Sequence, residues 1–244
     1  MYTEKKAKEC LQAIKVFQDS YNSDSVVVYK TFNVDNISFG VVGIEDEVIL
    51  AFSGINQIED LFFLTDYQIR KRSEGGIISS VRSFYSRIKL IIDHLFQEYK
   101  ITLVTGYSLG AVIATYSAYY QAVRQIDVPF EVYLFGSPRS GDENFSNSYD
   151  DLLRAQTYRV STEGDVITHL PLYGWHVGQS IQYTQKGYKT DGWDYSLPLD
   201  DIKFSLFSFL IFFFYALLIY SKLTENKHDL NYYDKMIFTV YSSA

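Results

Sequence analysis

The chain has 244 residues, 29 acidic and 22 basic, which gives it a formal net charge of -7. It contains no basic run long enough to follow a phosphate backbone, so nucleic acid is excluded from its expected partners. Its single cysteine, Cys10, cannot form an intrachain disulfide, and the fold therefore does not depend on an oxidising compartment.

Length and the amino-terminal sequence bear on domain organisation and location. Proteins of mixed α/β structure often fold as one unit at this length, so we expect a single domain over residues 1–244. The amino terminus is charged and is followed by an amphipathic stretch instead of an apolar region with a cleavage site, so no standard secretory signal is visible. These features predict a cytoplasmic protein or one associated peripherally or monotopically with a membrane.

The first quarter of the chain reads as a helix followed by short strands. Apolar residues recur at helical spacing between residues 5 and 17, which predicts an amphipathic helix. Three apolar runs of strand length follow, and a polar turn at residues 45–47 separates the last two. The runs cover residues 26–29, 38–44 and 48–52. A sheet is therefore expected to begin here.

The middle of the chain alternates helices with strands. Residues 80–99 place their apolar side chains on one face at helical periodicity and form the most regular predicted helix. A second helix is predicted over residues 111–124. Short apolar runs predict strands at residues 101–105, 130–135 and 156–161. This alternation predicts an α/β fold with a mostly parallel central sheet flanked by helices.

A pentapeptide between a predicted strand and a predicted helix, Gly106-Tyr107-Ser108-Leu109-Gly110, fits the pattern G-x-S-x-G. In such a turn the serine hydroxyl projects out of the sheet, and the two glycines avoid a clash where strand and helix crowd together. The turn also directs backbone N–H groups of the helix start, including that of Leu109, toward the position where an oxyanion would form. The pattern in this context predicts that Ser108 is a nucleophile.

A serine nucleophile needs a base to take its proton and an acid to orient that base. In hydrolases with this turn the chain order is serine, then aspartate or glutamate, then histidine. His94 precedes the serine, so His169, His176 and His228 remain as candidate bases. The alternative for the first two is a hydrogen-bonded structural imidazole, and for His228 it is a solvated surface residue.

Several blocks in the same order resemble the class 3 lipases, the family of fungal triacylglycerol lipases. The blocks are residues 106–110, 135–139, 158–160, 164–171 and, more weakly, 174–178. The resemblance implies an α/β-hydrolase fold and assigns the triad acid to Asp165, which follows the last of the predicted strands. The family base lies near the carboxyl terminus in an Asp-His-x-x-Tyr-like context, and the counterpart at residues 227–233 implies His228 as the base in preference to His176 and His169.

The same resemblance assigns a second oxyanion donor and a lid. The family donor follows an Arg-Gly pair after an early strand, and here Ser53 replaces the arginine while Ile55 replaces the usual hydroxyl residue. The backbone N–H of Ile55 remains, and loss of one donor typically costs about 100- to 1,000-fold in rate. Residues 56–66 resemble the lid, although a buried helix packed on the sheet fits them equally. The apolar lid candidates are Leu61, Phe62, Phe63 and Leu64.

One strongly apolar segment, residues 204–220, departs from the family pattern. Ser205 and Ser208 are its only clearly polar residues, and Lys203 and Lys222 flank it. Its length reaches only the lower limit for crossing a hydrocarbon core of about 30 Å, and a single crossing would separate the proposed acid from the proposed base. We therefore expect an apolar helical insertion over residues 203–222 that contacts a membrane surface. An internal helix or a dimer contact is the alternative.

These residues predict a serine carboxylic ester hydrolase that acts on lipid esters, as a lipase or phospholipase A1, through an acyl-enzyme. Neither a metal ion nor an organic cofactor is required for this chemistry. Two other functions stay open: a catalytically silent, membrane-associated binding protein on a lipase-like fold, and a serine acyltransferase. The expected partners are a lipid or ester substrate and a membrane surface. The sequence does not indicate an oligomeric state.

Overall fold

Helices and strands follow one another through the residues that the computed structural model describes, which are 1–19, 21, 23–54, 79–124, 130–171, 174–184, 187–190 and 228–241. The helices are α1 (Glu4–Gln18), α2 (Ser79–Glu98), α3 (Leu109–Val123), α4 (Glu143–Leu153) and α5 (Leu230–Tyr241). The strands are β1 (Val26–Val34), β2 (Ile37–Ile44), β3 (Glu47–Phe52), β4 (Leu103–Tyr107), β5 (Glu131–Phe135), β6 (Thr157–Thr162), β7 (Gln179–Thr184) and β8 (Gly187–Thr190).

The strands form one sheet whose spatial order is the chain order from β1 to β8. Strands β3 to β7 run parallel to one another, and β1, β2 and β8 add antiparallel pairs at the two ends. Parallel strands need a crossover that returns the chain to the starting edge, and helices α2, α3 and α4 belong to these crossovers. A monotonic strand order with crossovers of one hand places those helices on the same face.

Two hydrophobic cores lie on opposite faces of the sheet. One core packs α2, α3 and α4 against strand residues such as Leu50 and Phe52. The other packs α1 and α5 against residues such as Ile49 and Ala51. Neighbouring residues of β3 thus enter different cores, as the alternation of side chains along a strand requires. The helices at the two ends of the chain cover the face that the crossover helices leave open.

Helix α1 shows how the sequence positions an element. The hydroxyl of Thr3 caps the helix by accepting the backbone N–H of Lys6 at 3.3 Å. Its buried side chains, among them Leu11, Ile14 and Phe17, recur every three or four residues and form the face that packs on the sheet. This face is the one predicted from the periodicity of residues 5–17.

The predicted α/β architecture is confirmed, with a few elements that the apolar pattern did not indicate. Strand β1 continues to Val34 through residues that are mostly exposed, because its pairing with β2 and not burial defines it. Helix α4 buries only four of its eleven residues, and the pattern also did not indicate β7, β8 and α5. The predicted apolar insertion, residues 203–222, lies outside the described residues.

Candidate active site

The predicted site residues gather at one edge of the sheet. Parallel strands bring their carboxyl ends to the same edge, and β3, β4, β5 and β6 are parallel neighbours. Ser53 and Gly54 follow β3, Ser108 follows β4, Gly136 follows β5, and Asp165 lies three residues after β6. Ligands of open α/β sheets bind in the crevice beyond this edge. The topology therefore brings to one place residues that are far apart in sequence.

Ser108 occupies the sharp turn between β4 and α3. Its backbone has φ 55° and ψ -123°, a conformation that residues with a side chain rarely adopt. Two backbone hydrogen bonds hold the turn: the N–H of Ser108 donates to the Phe135 carbonyl at 2.9 Å, and the N–H of Ala111 donates to the Ser108 carbonyl at 3.0 Å. The Ser108 hydroxyl does not cap the helix that it precedes. The hydroxyl can therefore form a hydrogen bond with another group.

The two glycines of the turn are required by space. A Cβ on Gly106 would lie 2.3 Å from the carbonyl oxygen of Gly110, and a Cβ on Gly110 would lie 2.2 Å from the carbonyl oxygen of Ser53. Both distances are far below van der Waals contact, and both neighbours are backbone atoms that cannot rotate away. The turn is therefore packed directly against the end of β3.

We expect Gly110→Ala to lower the free energy of unfolding by about 1 to 3 kcal/mol, because the new methyl group overlaps backbone oxygen. Urea unfolding measures this loss. Gly43→Ala is the matched control, since the atoms nearest to its Cβ would be those of the Tyr29 side chain, which can move. Equal losses of unfolding free energy in the two variants would show that a methyl group at Gly110 costs no more than one beside a movable side chain.

Asp165 is 1% exposed, and three donors hold its carboxylate. The backbone N–H of Ile167 donates to Oδ1 at 3.0 Å, which makes Asp165 the cap of the following 3-10 turn. The Tyr233 hydroxyl donates to Oδ2 at 2.5 Å, and Nδ1 of His228 lies 2.8 Å from the same oxygen. Donors on both oxygens fix the plane of the carboxylate and satisfy its charge.

His228, immediately before α5, joins the acid to the serine. Its Nε2 lies 3.0 Å from Oγ of Ser108, while its Nδ1 faces Asp165. A carboxylate only accepts hydrogen bonds, so Nδ1 carries the ring proton and the lone pair of Nε2 points to the serine hydroxyl. The three residues thus form one continuous hydrogen-bonded chain in which an imidazole can take the proton of Ser108.

Gly136 makes room for the imidazole. Its backbone has φ 55°, and a Cβ there would lie 2.9 Å from Cε1 of His228 and 3.1 Å from the Tyr233 hydroxyl. Glycine alone combines this left-handed conformation with so close an approach. The backbone at the end of β5 therefore packs directly against the ring of His228 and the hydroxyl of Tyr233.

The other histidines lie elsewhere. His94 is exposed on α2, with 72% of its side chain accessible, and forms an ion-pair contact with Glu98 at 3.3 Å. His169 is exposed, and its carbonyl accepts a hydrogen bond from the Arg139 side chain. His176 is half-buried, and its carbonyl accepts the hydroxyl of Ser146. Of the candidate bases that follow Ser108, the structure brings His228 to the serine.

Burial lowers the pKa of His176 well below its usual value, and the nearby Arg159 and Arg139 lower it further. The folded protein therefore keeps this ring neutral where the unfolded chain binds a proton, below about pH 6.5. Stability then falls as the pH falls, by at most about 1.4 kcal/mol per pH unit from this group. We expect His176→Gln to flatten the decline of unfolding free energy between about pH 6.5 and 5 in urea titrations.

His94→Gln removes an imidazole from the surface and is the control for this titration. The slope of unfolding free energy against pH should change more in His176→Gln than in this control. If both variants changed the slope alike, or neither did, the pH dependence would come from other groups.

Several predicted residues are only partly described. Leu109 is the first residue of α3, so its N–H begins the helix next to Ser108. Gly54 lies beside the serine, since a Cβ there would be 3.3 Å from that of Ser108, and its N–H donates to Oε1 of Gln18 at 2.7 Å. Ser53 ties β3 to β2 by accepting the Ser38 N–H at 2.9 Å. Outside the described residues lie Ile55, Leu61, Phe62, Phe63, Leu64 and the segment 204–220.

The described ranges lack a metal-binding cluster and a membrane-spanning helix. No three side chains of histidine, cysteine, aspartate or glutamate come close enough there to hold a metal ion. Nor does any helix in those ranges combine the length and the apolar character needed to span a membrane.

Sequence reasoning missed two tyrosines of the site. Tyr233 is fully buried, and both burial and Asp165 raise its pKa well above its usual value, so it remains a hydroxyl donor to the acid. Tyr107 contacts His228 through its ring and its hydroxyl. Nothing in the spacing of these residues indicated the contacts, because they connect segments more than 60 positions apart.

Comparison with known proteins adds a family match and several relatives. Residues 49–175, just over half of the chain, match the model of a family described as Lipase (class 3). The chain is 34% identical over 112 residues to phospholipase A1-IIalpha of Arabidopsis thaliana, a segment covering 41% of this chain and 26% of that protein. It is 41% identical over 69 residues to secreted mono- and diacylglycerol lipase 1 of Fusarium solani, covering 28% of this chain and 20% of that protein. The chain spans about a quarter of the length of these curated relatives or less.

Solved structures establish the fold. The crystal structure of a lipase from Rhizopus microsporus var. chinensis matches with a TM-score of 0.61 and 18% sequence identity, over 75% of this chain and 74% of that one. The predicted α/β-hydrolase fold is thereby confirmed for this chain.

Proposed function

The chain belongs to the class 3 lipase family, and from this premise we propose that it hydrolyses carboxylic esters of lipids with Ser108 as the nucleophile. One observation carries the proposal: the hydrogen-bonded chain from Ser108 Oγ through both nitrogens of His228 to Asp165. An imidazole held in this way is a general base for the serine and a general acid for the leaving group.

The reaction proposed has two halves. Nε2 of His228 takes the proton of Ser108 as Oγ attacks the ester carbonyl carbon, and the tetrahedral oxyanion then collapses with loss of the alcohol, which receives that proton. Water then gives a proton to the same nitrogen as it attacks the acyl carbonyl carbon. The second tetrahedral intermediate collapses by breaking the bond to Oγ of Ser108, which takes the proton back from Nε2, and the fatty acid leaves. Asp165 holds the imidazole in the productive tautomer and stabilises its charged form. The backbone N–H groups of Leu109 and Ile55 are the proposed oxyanion donors.

A lipid is the proposed substrate class for two reasons. The curated relatives are named as a phospholipase A1 and as a lipase of mono- and diacylglycerols, and both names refer to lipid carboxylic esters. The chain also carries the apolar segment 204–220, which contains eight phenylalanine or tyrosine residues among its seventeen. Such a segment is suited to contact with lipid.

Release of fatty acid from detergent-dispersed phosphatidylcholine and from diacylglycerol, compared with release from a short-chain p-nitrophenyl ester, tests the proposal. We expect turnover of all three, with preference for the lipids, and covalent labelling of Ser108 by a fluorophosphonate. A folded protein that shows neither turnover nor labelling would overturn the hydrolase and favour a silent binding protein. Capture of the acyl group by an added alcohol in preference to water would favour an acyltransferase.

We further propose that residues 204–220 bring the enzyme to a membrane surface. Replacing Phe212, Phe213 and Phe214 with serine should abolish cosedimentation with phosphatidylcholine vesicles, because the apolar contact with lipid is lost. Turnover of the soluble p-nitrophenyl ester should persist. Vesicle binding that survives the replacement would point to another contact surface.

A further inference from the structure

Tyr107, the residue before the nucleophile, makes two contacts of different kinds with His228. Its ring stacks on the imidazole with centroids 5.0 Å apart and planes 24° apart. Its hydroxyl donates a hydrogen bond to the backbone carbonyl of His228 at 2.9 Å. One side chain of the nucleophile turn thus holds both the ring and the main chain of the proposed base.

We propose that Tyr107 is a positioning residue that sets where the imidazole of His228 stands relative to Ser108. The inference rests on the proposed function, since it assigns the placement of the base in that reaction. Tyr107 itself does not reach the reacting atoms in this role. It acts by restraining His228.

The triad bonds alone leave the base incompletely restrained. Hydrogen bonds at Nδ1 and Nε2 define a line through the ring and allow the ring to tilt about that line. A stacked ring opposes the tilt, and a bond to the carbonyl holds the main chain from which the ring extends. Because misplacement of a reacting group by about 1 Å can cost about 100-fold in rate, these restraints bear on catalysis.

The surroundings of Tyr107 support this role over simple filling of the core. Only 7% of the side chain is exposed, and burial raises its pKa well above its usual value, as do Asp165 and Asp229, so the phenol stays a donor. Its ring also meets that of Tyr233 edge-on at 6.3 Å, and Tyr233 donates to Asp165. Tyr107 therefore contacts His228 directly and is connected to Asp165 through Tyr233.

His228 is far in sequence from the turn that it faces. Leu230 begins α5 two positions after it. Two backbone hydrogen bonds hold the turn at Ser108: one joins it to Phe135, and the other lies within the turn. The hydrogen bond from Tyr107 to the His228 carbonyl therefore restrains the base relative to that turn, although the two residues are 121 positions apart.

Two substitutions separate the contacts. Tyr107→Phe removes the hydroxyl and keeps the ring, and Tyr107→Leu removes the stacked ring as well. We expect kcat for the p-nitrophenyl ester to fall by about 10-fold and about 100-fold, with KM unchanged, and the rate of Ser108 labelling by a fluorophosphonate to fall in parallel.

Tyr116→Phe is the matched control. The Tyr116 hydroxyl also donates to a backbone carbonyl, that of Ser140 at 2.8 Å, from a fully buried position in the opposite core. Tyr116→Phe should lower the free energy of unfolding about as much as Tyr107→Phe does, while its kcat stays within about two-fold of the wild-type value. If Tyr107→Phe and Tyr116→Phe have the same kcat, Tyr107 is a packing residue and the inference fails.

A spectroscopic readout tests the inference without turnover. The Nδ1 proton of His228, bonded to Asp165, gives a downfield proton NMR signal that is assigned by its absence in His228→Gln. We expect this signal to broaden by solvent exchange in Tyr107→Leu and to stay sharp in Tyr116→Phe. An unchanged signal in Tyr107→Leu overturns the positioning role. Wild-type protein with the sharp signal but no ester turnover would instead contradict the proposed function and leave the positioning result standing.

Discussion

Replacement of Ser108 by alanine is expected to lower turnover of a lipid ester by about 10,000- to 1,000,000-fold, leaving the small residual rate that binding and the oxyanion donors supply. The reason is that Oγ of Ser108 lies 3.0 Å from Nε2 of His228, where the imidazole can take its proton. Initial rates of fatty acid release measure the loss. Fluorophosphonate labelling of the protein should disappear at the same time.

Ser117→Ala is the control for this experiment. Ser117 is a buried serine on α3, and its hydroxyl donates to the Ile113 carbonyl at 2.9 Å, within the helix that follows the nucleophile. Its removal should change the rate by less than about two-fold, because it alters one local helix contact. A Ser108→Ala protein that keeps a tenth or more of wild-type turnover would mean that another residue is the nucleophile.

Replacement of His228 by alanine is expected to cost about as much as loss of the serine, because residues of a triad act as a unit. His176→Ala should instead keep turnover near the wild-type level and lower the midpoint of thermal unfolding, since its ring lies among Arg139 and Arg159. Steady-state kinetics and calorimetry of the two variants separate the roles. If His176→Ala alone abolished turnover in a folded protein, the base would be misassigned.

Asp165→Asn extends this second prediction to the acid. The amide cannot accept the Nδ1 proton in the same manner, so the imidazole would adopt the tautomer in which Nε2 carries the proton and cannot take that of Ser108. A loss of about 10,000-fold in kcat is expected, with the fold retained. A small effect would show that a group other than Asp165 accepts the Nδ1 proton and orients the base.

Local sequence was sufficient for the parts of the site that neighbouring residues create. The turn at Ser108 needs a strand before it, a helix after it and glycines at Gly106 and Gly110, and all of these lie within one short segment. The parallel sheet could also be predicted from the sequence, because helices that alternate with strands are compatible with few other folds. Asp165 caps a turn that its own segment forms just after β6, but its assignment as the acid came from the family resemblance and not from local sequence.

The base could not be derived from the residues alone. Chain order left His169, His176 and His228 open, and only the resemblance to a family pointed to the last. The imidazole of His228 reaches Ser108 because α5 packs with α1 against one face of the sheet, an arrangement that depends on the buried faces of both helices. No local spacing encodes a contact across 120 positions.

The sequence by itself determined the strand–turn–helix at Ser108 and the class of fold, because each follows from steric and periodic rules that act between neighbours. Only the tertiary structure decided which histidine meets the serine, and that Tyr107 contacts His228 while Tyr233 contacts Asp165. The physical reason is that these contacts join elements through packing, and packing depends on the whole set of buried faces at once.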